Sequence, residues 1–323
     1  MNSDKCTLPP VLWWVALCFT LAATRPAIAE DFPSWAFPGS GLAAPPATNA
    51  ETMLSVPGSR VKLRKQDIRN ISRPPDWFPG EHPTMPASVG SSRAADVWAC
   101  GFCHLPNGQG RPENASLAGL PAAYIRAQVS AFRSGERRSA SPDSKPTAFM
   151  ISVAKDATDD ETAQAAEYFS QLPFASHVKI VEGKTVPAHM EKGFIYAPGN
   201  GPAEVLGARI IEMATDLERF ERRDPNSRFV AYVPAGSVAR GGELARSAAV
   251  PCARCHGADL RGGAAAIAPP LAGRSPTYLF RQLYGFRSGA RSAAAAQPMH
   301  DIAVQLTQAD MIALAAYAAS IKP

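Results

Sequence analysis

The chain has 323 residues, 46% of them apolar, and a formal charge of +5 from 33 Lys and Arg against 28 Asp and Glu. That length suits two domains better than one, with enough apolar residues to build real cores. The charge is mild and no basic cluster or aromatic-basic interleaving accompanies it, which excludes a nucleic-acid binder.

The first residues read as an address. Lys5 gives a weakly positive start, and "VLWWVALCFTLAA" over Val11–Ala23 is too short to span a bilayer, which takes about 20 apolar residues. Small residues at Ala27 and Ala29 complete a secretory signal peptide over residues 1–29, so the protein is expected in the periplasm. A retained leader would instead tie it to the membrane surface. Leu17 stands before Cys18 where a lipid-anchored cysteine needs a small residue. Cleavage after Ala29 leaves a formal charge of +4 and only Cys100, Cys103, Cys252 and Cys255.

Residues 30–88 are proline-rich, as in "RPPDWFPGEHPTMP", and read as an extended arm lying over a domain with Trp77 and Phe78 buried. The next segment, 89–175, contains "ACGFCHLPNGQG". A Cys-x-x-Cys pair serves metal clips, redox dithiols and haem anchors, and a histidine directly after it is the signature of c-type haem attachment. Residues 176–240 form an irregular linker in which "RIIEM" and "RFVAYVP" flank the turn residues "RDPNS", predicting two paired strands in a β-hairpin. Residues 241–323 carry the second motif, "PCARCHGADL".

The surroundings of the two motifs repeat as well. "SLAGLPAAYIRAQVSAFRSG" matches "PLAGRSPTYLFRQLYGFRSG" at Tyr124/Tyr278, Gln128/Gln282, Phe132/Phe286 and Arg133/Arg287. The Tyr, Gln and Phe positions recur every four residues, so they share one helix face. Met150 precedes Tyr168 by eighteen residues, and Met299 precedes Tyr317 by the same number. Thr158 with Glu161 and Thr307 with Asp310 sit where a capping box would start each final helix. Each unit thus reads as an entry helix, the cysteine motif, a loop, a central helix, a methionine loop and a capped last helix. A zinc site on four thiolates would leave both histidines and both methionines unexplained. Met311 aligns with Thr162 and reads as packing, His300 aligns with Ile151, and His82, His177 and His189 read as surface or linker residues. Arg133 and Arg287 fit either haem propionates or a solvated helix face.

Both units resemble class I cytochrome c domains, and their tandem arrangement is similar to the dihaem cytochrome c4 type of bacterial periplasmic electron carrier. The likeness rests on the "Tyr-x-x-x-Gln-x-x-x-Phe-Arg-Ser-Gly" helix and the spacing from Met to "AAY". It implies a mainly α fold of two cytochrome c domains joined by the linker. It also implies two covalently bound haem c groups with their iron. Cys100 and Cys103 would hold one haem, and Cys252 and Cys255 the other. His104 with Met150, and His256 with Met299, would be the iron ligands. Six-coordinate irons leave no position for substrate, so the implied role is single-electron transfer, not catalysis. A dihaem enzyme such as a peroxidase would need an open iron position, and a thiosulfate dehydrogenase a spare cysteine ligand. The partners would be redox donor and acceptor proteins, such as a periplasmic dehydrogenase and a terminal oxidase, and a permanent cytochrome subunit of such a dehydrogenase would share the same haem chemistry. The family often places a proline carbonyl beneath the proximal histidine. Pro269 supplies it in the second unit, whereas Ala115 stands there in the first.

Overall fold

The computed structural model describes residues 30–39, 49–263 and 268–323, so the leader predicted over residues 1–29 lies outside the described residues. The proline-rich arm does not simply lie over one domain. Its Trp35 ring meets Phe280 at 4.5 Å, and Ala36 is buried in the core of the C-terminal unit. Farther on, β1 (Met53–Leu54) and β2 (Leu63–Arg64) pair antiparallel. Val56, Ile68 and Trp77 form a small core behind them, while Phe78 stays partly exposed. The Trp77 indole N–H donates to the Arg222 carbonyl at 2.8 Å, satisfying the one polar atom of a buried ring.

The first unit has five helices: α1 (Ala87–Gly90), α2 (Cys100–His104), α3 (Ala122–Ser134), α4 (Lys145–Asp156) and α5 (Asp159–Ser170). They enclose a core of Val89, Leu120, Ile125, Phe169 and Leu172. The loop expected around Met150 is helical. Pro146 in the first turn of α4 has the φ a helix start needs and gives up an N–H that would be unpaired there anyway. Thr158 and Glu161 form the capping box of α5, with each side chain accepting from the other's backbone N–H.

The intervening segment is no irregular linker with a lone hairpin. Five of its strands build one mixed sheet: β3 (Val178–Gly183), β5 (His189–Lys192), β6 (Ile195–Pro198), β8 (Ile211–Ala214) and β9 (Phe229–Pro234). A two-stranded piece, β4 (Thr185–Val186) with β7 (Glu204–Val205), accompanies it, and α6 (Leu217–Glu221) joins β8 to β9. The order is β3-β9-β8-β6-β5. β8 and β9 pair antiparallel, with Ile211 opposite Tyr232 and Ala214 opposite Phe229. β3 runs parallel to β9 and β6 parallel to β8. Ile210, Ala231 and Val233 pack into the core of the C-terminal unit. Val186, Leu206, Ile211 and Met213 form a separate cluster.

The second unit consists of α7 (Ser237–Ala245), α8 (Cys252–His256), α9 (Pro276–Arg287), α10 (Gln297–Ala303) and α11 (Gln308–Ser320). Met299 also lies in a helix, again with a proline in its first turn. The helices α7 and α11 cross at Gly241, where a Cβ would stand 2.0 Å from the Ala313 carbonyl oxygen, so only glycine admits the approach. Thr307 and Asp310 complete a full capping box on α11. Met311 is fully buried, as its reading as a packing residue requires.

Candidate functional site

Each Cys-x-x-Cys-His motif occupies a single short helix, which sets both cysteines and the histidine around one turn and a half. The His104 Nδ1 lies 2.8 Å from the Ala115 carbonyl oxygen, and the His256 Nδ1 lies 2.8 Å from that of Pro269. A carbonyl can only accept, so Nδ1 carries the proton and Nε2 keeps its lone pair for a metal. Burial holds both imidazoles below the usual histidine range, so they are neutral donors at neutral pH. The bond in the first unit forms without a proline, because the backbone carbonyl is all it needs.

In the first unit, Cys100, His104 and Met150 line one cleft enclosing about 720 Å³, part of it open to solvent. Trp98, Leu117, Ile125, Val129 and Phe169 give it apolar walls. Burial pushes the Cys100 thiol up to about 12 and raises that of Cys103, so neither is poised as a thiolate nucleophile. In the second unit, Cys252 and Met299 both pack against the same core as Phe286 and Ile302. Among the described residues, no group of three or more His, Cys, Asp or Glu side chains is arranged to hold a metal by protein ligands alone, and the two cysteine pairs are not brought together.

The repeated arginines do something the sequence left open. Arg133 donates to the carbonyls of Ala154 and Ala157 and pairs with Asp159 at 2.7 Å. Arg287 donates to the carbonyl of Leu306, the position matching Ala157. Arg133 therefore straps the methionine helix α4 to the start of α5, whereas Arg287 holds the turn between α10 and α11. Nor are the other histidines surface groups: the side chains of His82 and His189 are only 5% and 7% exposed, and desolvation holds His177 at about 4.

Sequence reasoning missed the contact between the units. Arg137 donates to Gln128 at 2.7 Å and to Gln282 at 2.9 Å. Arg291 donates to Gln282 at 3.1 Å and to Gln128 at 2.7 Å. Each arginine follows its own glutamine by nine residues, so the network has an approximate two-fold relation in sequence as in space. Arg137 also reaches the Tyr278 hydroxyl, and Arg291 that of Tyr124. Burial alone would raise the Tyr124 phenol, but Arg291 and Arg137 outweigh it and hold it low. Both arginines are buried, and among the described residues neither hydrogen-bonds a carboxylate. From the second unit, Arg274 donates to the carbonyls of Ser116 and Ala118 at 2.7 and 3.1 Å. The repeated Gln-to-Arg spacing was the available signal.

Comparison with known proteins decides the family. Residues 238–322 match the family described as Cytochrome c. Cytochrome c-554(548) of Halomonas halodenitrificans is 39% identical over 75 residues, 23% of this chain and 84% of that protein. The chain belongs to the cytochrome c family. Cytochrome c4 of Azotobacter vinelandii is 27% identical over 241 residues, 73% of this chain and 89% of that cytochrome. A thiosulfate dehydrogenase electron acceptor of Stutzerimonas stutzeri is 51% identical over 72 residues, 22% of this chain but only 32% of the relative's length. Over most of its length the chain is thus similar to the tandem, dihaem cytochrome c4 type. Covalent haem c with its iron is the cofactor of this family, and the residues present fit it. The cysteine pair, an imidazole with its lone pair free, and an apolar cleft that also holds a methionine form one donor set.

Proposed function

We propose that this cytochrome is a periplasmic dihaem carrier that accepts electrons singly from a dehydrogenase, with thiosulfate oxidation the favoured source, and passes them to a second redox protein. The observation that carries the dihaem reading is the doubled motif helix, each copy holding its histidine by the same Nδ1-to-carbonyl bond at 2.8 Å. The resemblance to a thiosulfate dehydrogenase electron acceptor supports the choice of donor.

Cys100 with Cys103 and Cys252 with Cys255 would bind the two haems through thioether bonds. His104 and Met150 would hold one iron, and His256 and Met299 the other. Haem iron would supply reversible one-electron chemistry there, and a thioether donor would favour its reduced state. The protein's part is positional. The carbonyls of Ala115 and Pro269 fix the imidazole rings and raise their basicity. Arg133 fixes the helix that bears Met150, and Arg287 the turn that follows the helix bearing Met299. The apolar cleft wall would limit water near a bound haem. Arg137 and Arg291, buried between the units with no carboxylate partner among the described residues, would take propionate groups as their counter-charge.

The test has two arms. Purified protein should carry two haems per chain that survive denaturation, and a count of one would overturn the dihaem reading. Mixed with a thiosulfate-oxidising dehydrogenase and thiosulfate, it should be reduced faster than a monohaem cytochrome of equal potential. Equal rates would remove thiosulfate oxidation as the source.

A further inference from the structure

The inserted segment touches the two motif helices unequally. Arg223, just past α6, lays its guanidinium 3.6 Å above the Phe102 ring and donates to the Phe102 carbonyl at 2.6 Å. Phe102 lies between Cys100 and Cys103 in the first motif. Arg223 has a φ of 56°, the left-handed conformation that glycine usually fills after a helix, so an arginine there works against its own backbone. Its neighbours do not neutralise it. Glu113 is paired with Arg111 at 3.1 Å, and Asp224 with Arg219 at 2.6 Å. Among the described residues, no carboxylate comes within ion-pair distance of Arg223. The second motif has Arg254 in place of Phe102, and that residue is exposed. Its charge is screened by water, whereas the partly buried charge of Arg223 is screened less.

We propose that Arg223 is a tuning residue for the first haem site alone, where its part-buried charge would stabilise reduced iron and raise that site's potential. The proposal rests on the dihaem reading above. The chemistry concerned would be internal: haem iron held by His256 and by His104 would exchange one electron, with no proton or bond exchanged. A fixed positive charge beside the acceptor favours the electron residing in the first unit. Arg223 touches no reacting atom, and it acts through the field at the motif helix and through the Phe102 carbonyl.

The experiment is a potentiometric titration of the full-length, haem-loaded protein, with Arg223→Met, Arg223→Lys and Arg254→Met compared with the unaltered chain. Met150→His marks which of the two reduction waves belongs to the first unit. Arg223→Met should lower that wave and leave the other in place, with two haems still bound and the far-red sulfur–iron band at full strength. Arg223→Lys should recover most of the shift, and Arg254→Met should move neither wave appreciably. An unmoved first wave, or equal movement of both, would overturn the proposal. A shift accompanied by loss of half the far-red band would also overturn it, because Arg223 would then act only by holding the motif helix. A salt series on the unaltered protein needs no variant. A field from a part-buried charge in contact with the motif helix largely keeps the gap between the waves as salt rises, and a gap that closes would refute it. A haem count of one would strike the dihaem reading itself, and it is measured separately.

Discussion

His177 should make the protein acid-sensitive in a specific window. Its ring lies 6.5 Å from that of Phe174 and 5.5 Å from that of Phe229, at the entry to β3. It shares a small cavity with Leu105, Phe220 and Arg223. Burial, then the charges of Arg228 and Arg274, hold its imidazole at about 4 against an ordinary 6.5, while a bond to the Ala175 backbone opposes them. The folded state therefore refuses a proton that the unfolded chain takes up. Stability from this group is complete above pH 6.5 and is lost as pH falls towards 4. A displacement of that size corresponds to about 3 kcal/mol over the whole window, of which about 2 kcal/mol is gone by pH 5. The variant His177→Phe suits the aromatic surroundings and cannot titrate. Denaturant unfolding of both proteins at pH 7 and pH 5 isolates the term, because every other titrating group is common to them. The unaltered protein should lose about 2 kcal/mol more than the variant between the two pH values. Equal losses would mean that the ring is hydrated and the reasoning from burial fails.

Met150→His and Met299→His should each remove about half of the far-red sulfur–iron band and lower one of two potentials, read by spectroelectrochemistry. Gly241→Ala should cost about 2–3 kcal/mol in thermal unfolding by forcing α7 off α11, whereas Gly80→Ala, in open space, should change stability by less than about 0.5 kcal/mol. Arg274→Met should cost about 2–3 kcal/mol in chemical denaturation, since it strands the buried carbonyls of Ser116 and Ala118 without donors.

What the sequence disclosed was local. The motif helices, the shared face of Tyr124 and Gln128, and the capping boxes at Thr158 and Thr307 all depend on residues within a turn or two of each other. The second-layer bond to Ala115 could also be foreseen, because it needs only a backbone oxygen at a fixed place in the repeat. The pairing of β8 with β9 was also legible, from two apolar runs flanking the turn residues "RDPNS". The rest of the inserted sheet was not, since β3 finds its parallel partner β9 about fifty residues away. Parallel pairing leaves no turn signal between partners. The methionine helices were missed for a different reason: Pro146 and Pro298 read as loop residues, yet proline is well suited to a helix's first turn.

The residue after each motif histidine shows how the insertion changed one unit and spared the other. In both units the backbone leaves the motif helix with positive φ and extended ψ, 64° and 152° at Leu105, 83° and 156° at Gly257. That region of backbone space belongs to glycine, and any other residue there costs about 1–3 kcal/mol. At Gly257 a Cβ would also stand 2.4 Å from the Gly262 carbonyl oxygen, so the second unit has both reasons to keep glycine. The first unit accepts the strain, and what it receives in exchange is visible: the Leu105 side chain is only 3% exposed and lines the cavity shared with His177, Phe220, Arg223 and Phe229 of the inserted segment. Burying a leucine contributes about 1.5–3 kcal/mol, enough to offset the backbone term. The same cavity wall brings Arg223 to the Phe102 carbonyl. Strain at Leu105 and strain at Arg223 thus line one cavity, where the inserted segment meets the end of the first motif helix. The two units therefore differ most at that helix, the one whose carbonyl takes the Arg223 guanidinium.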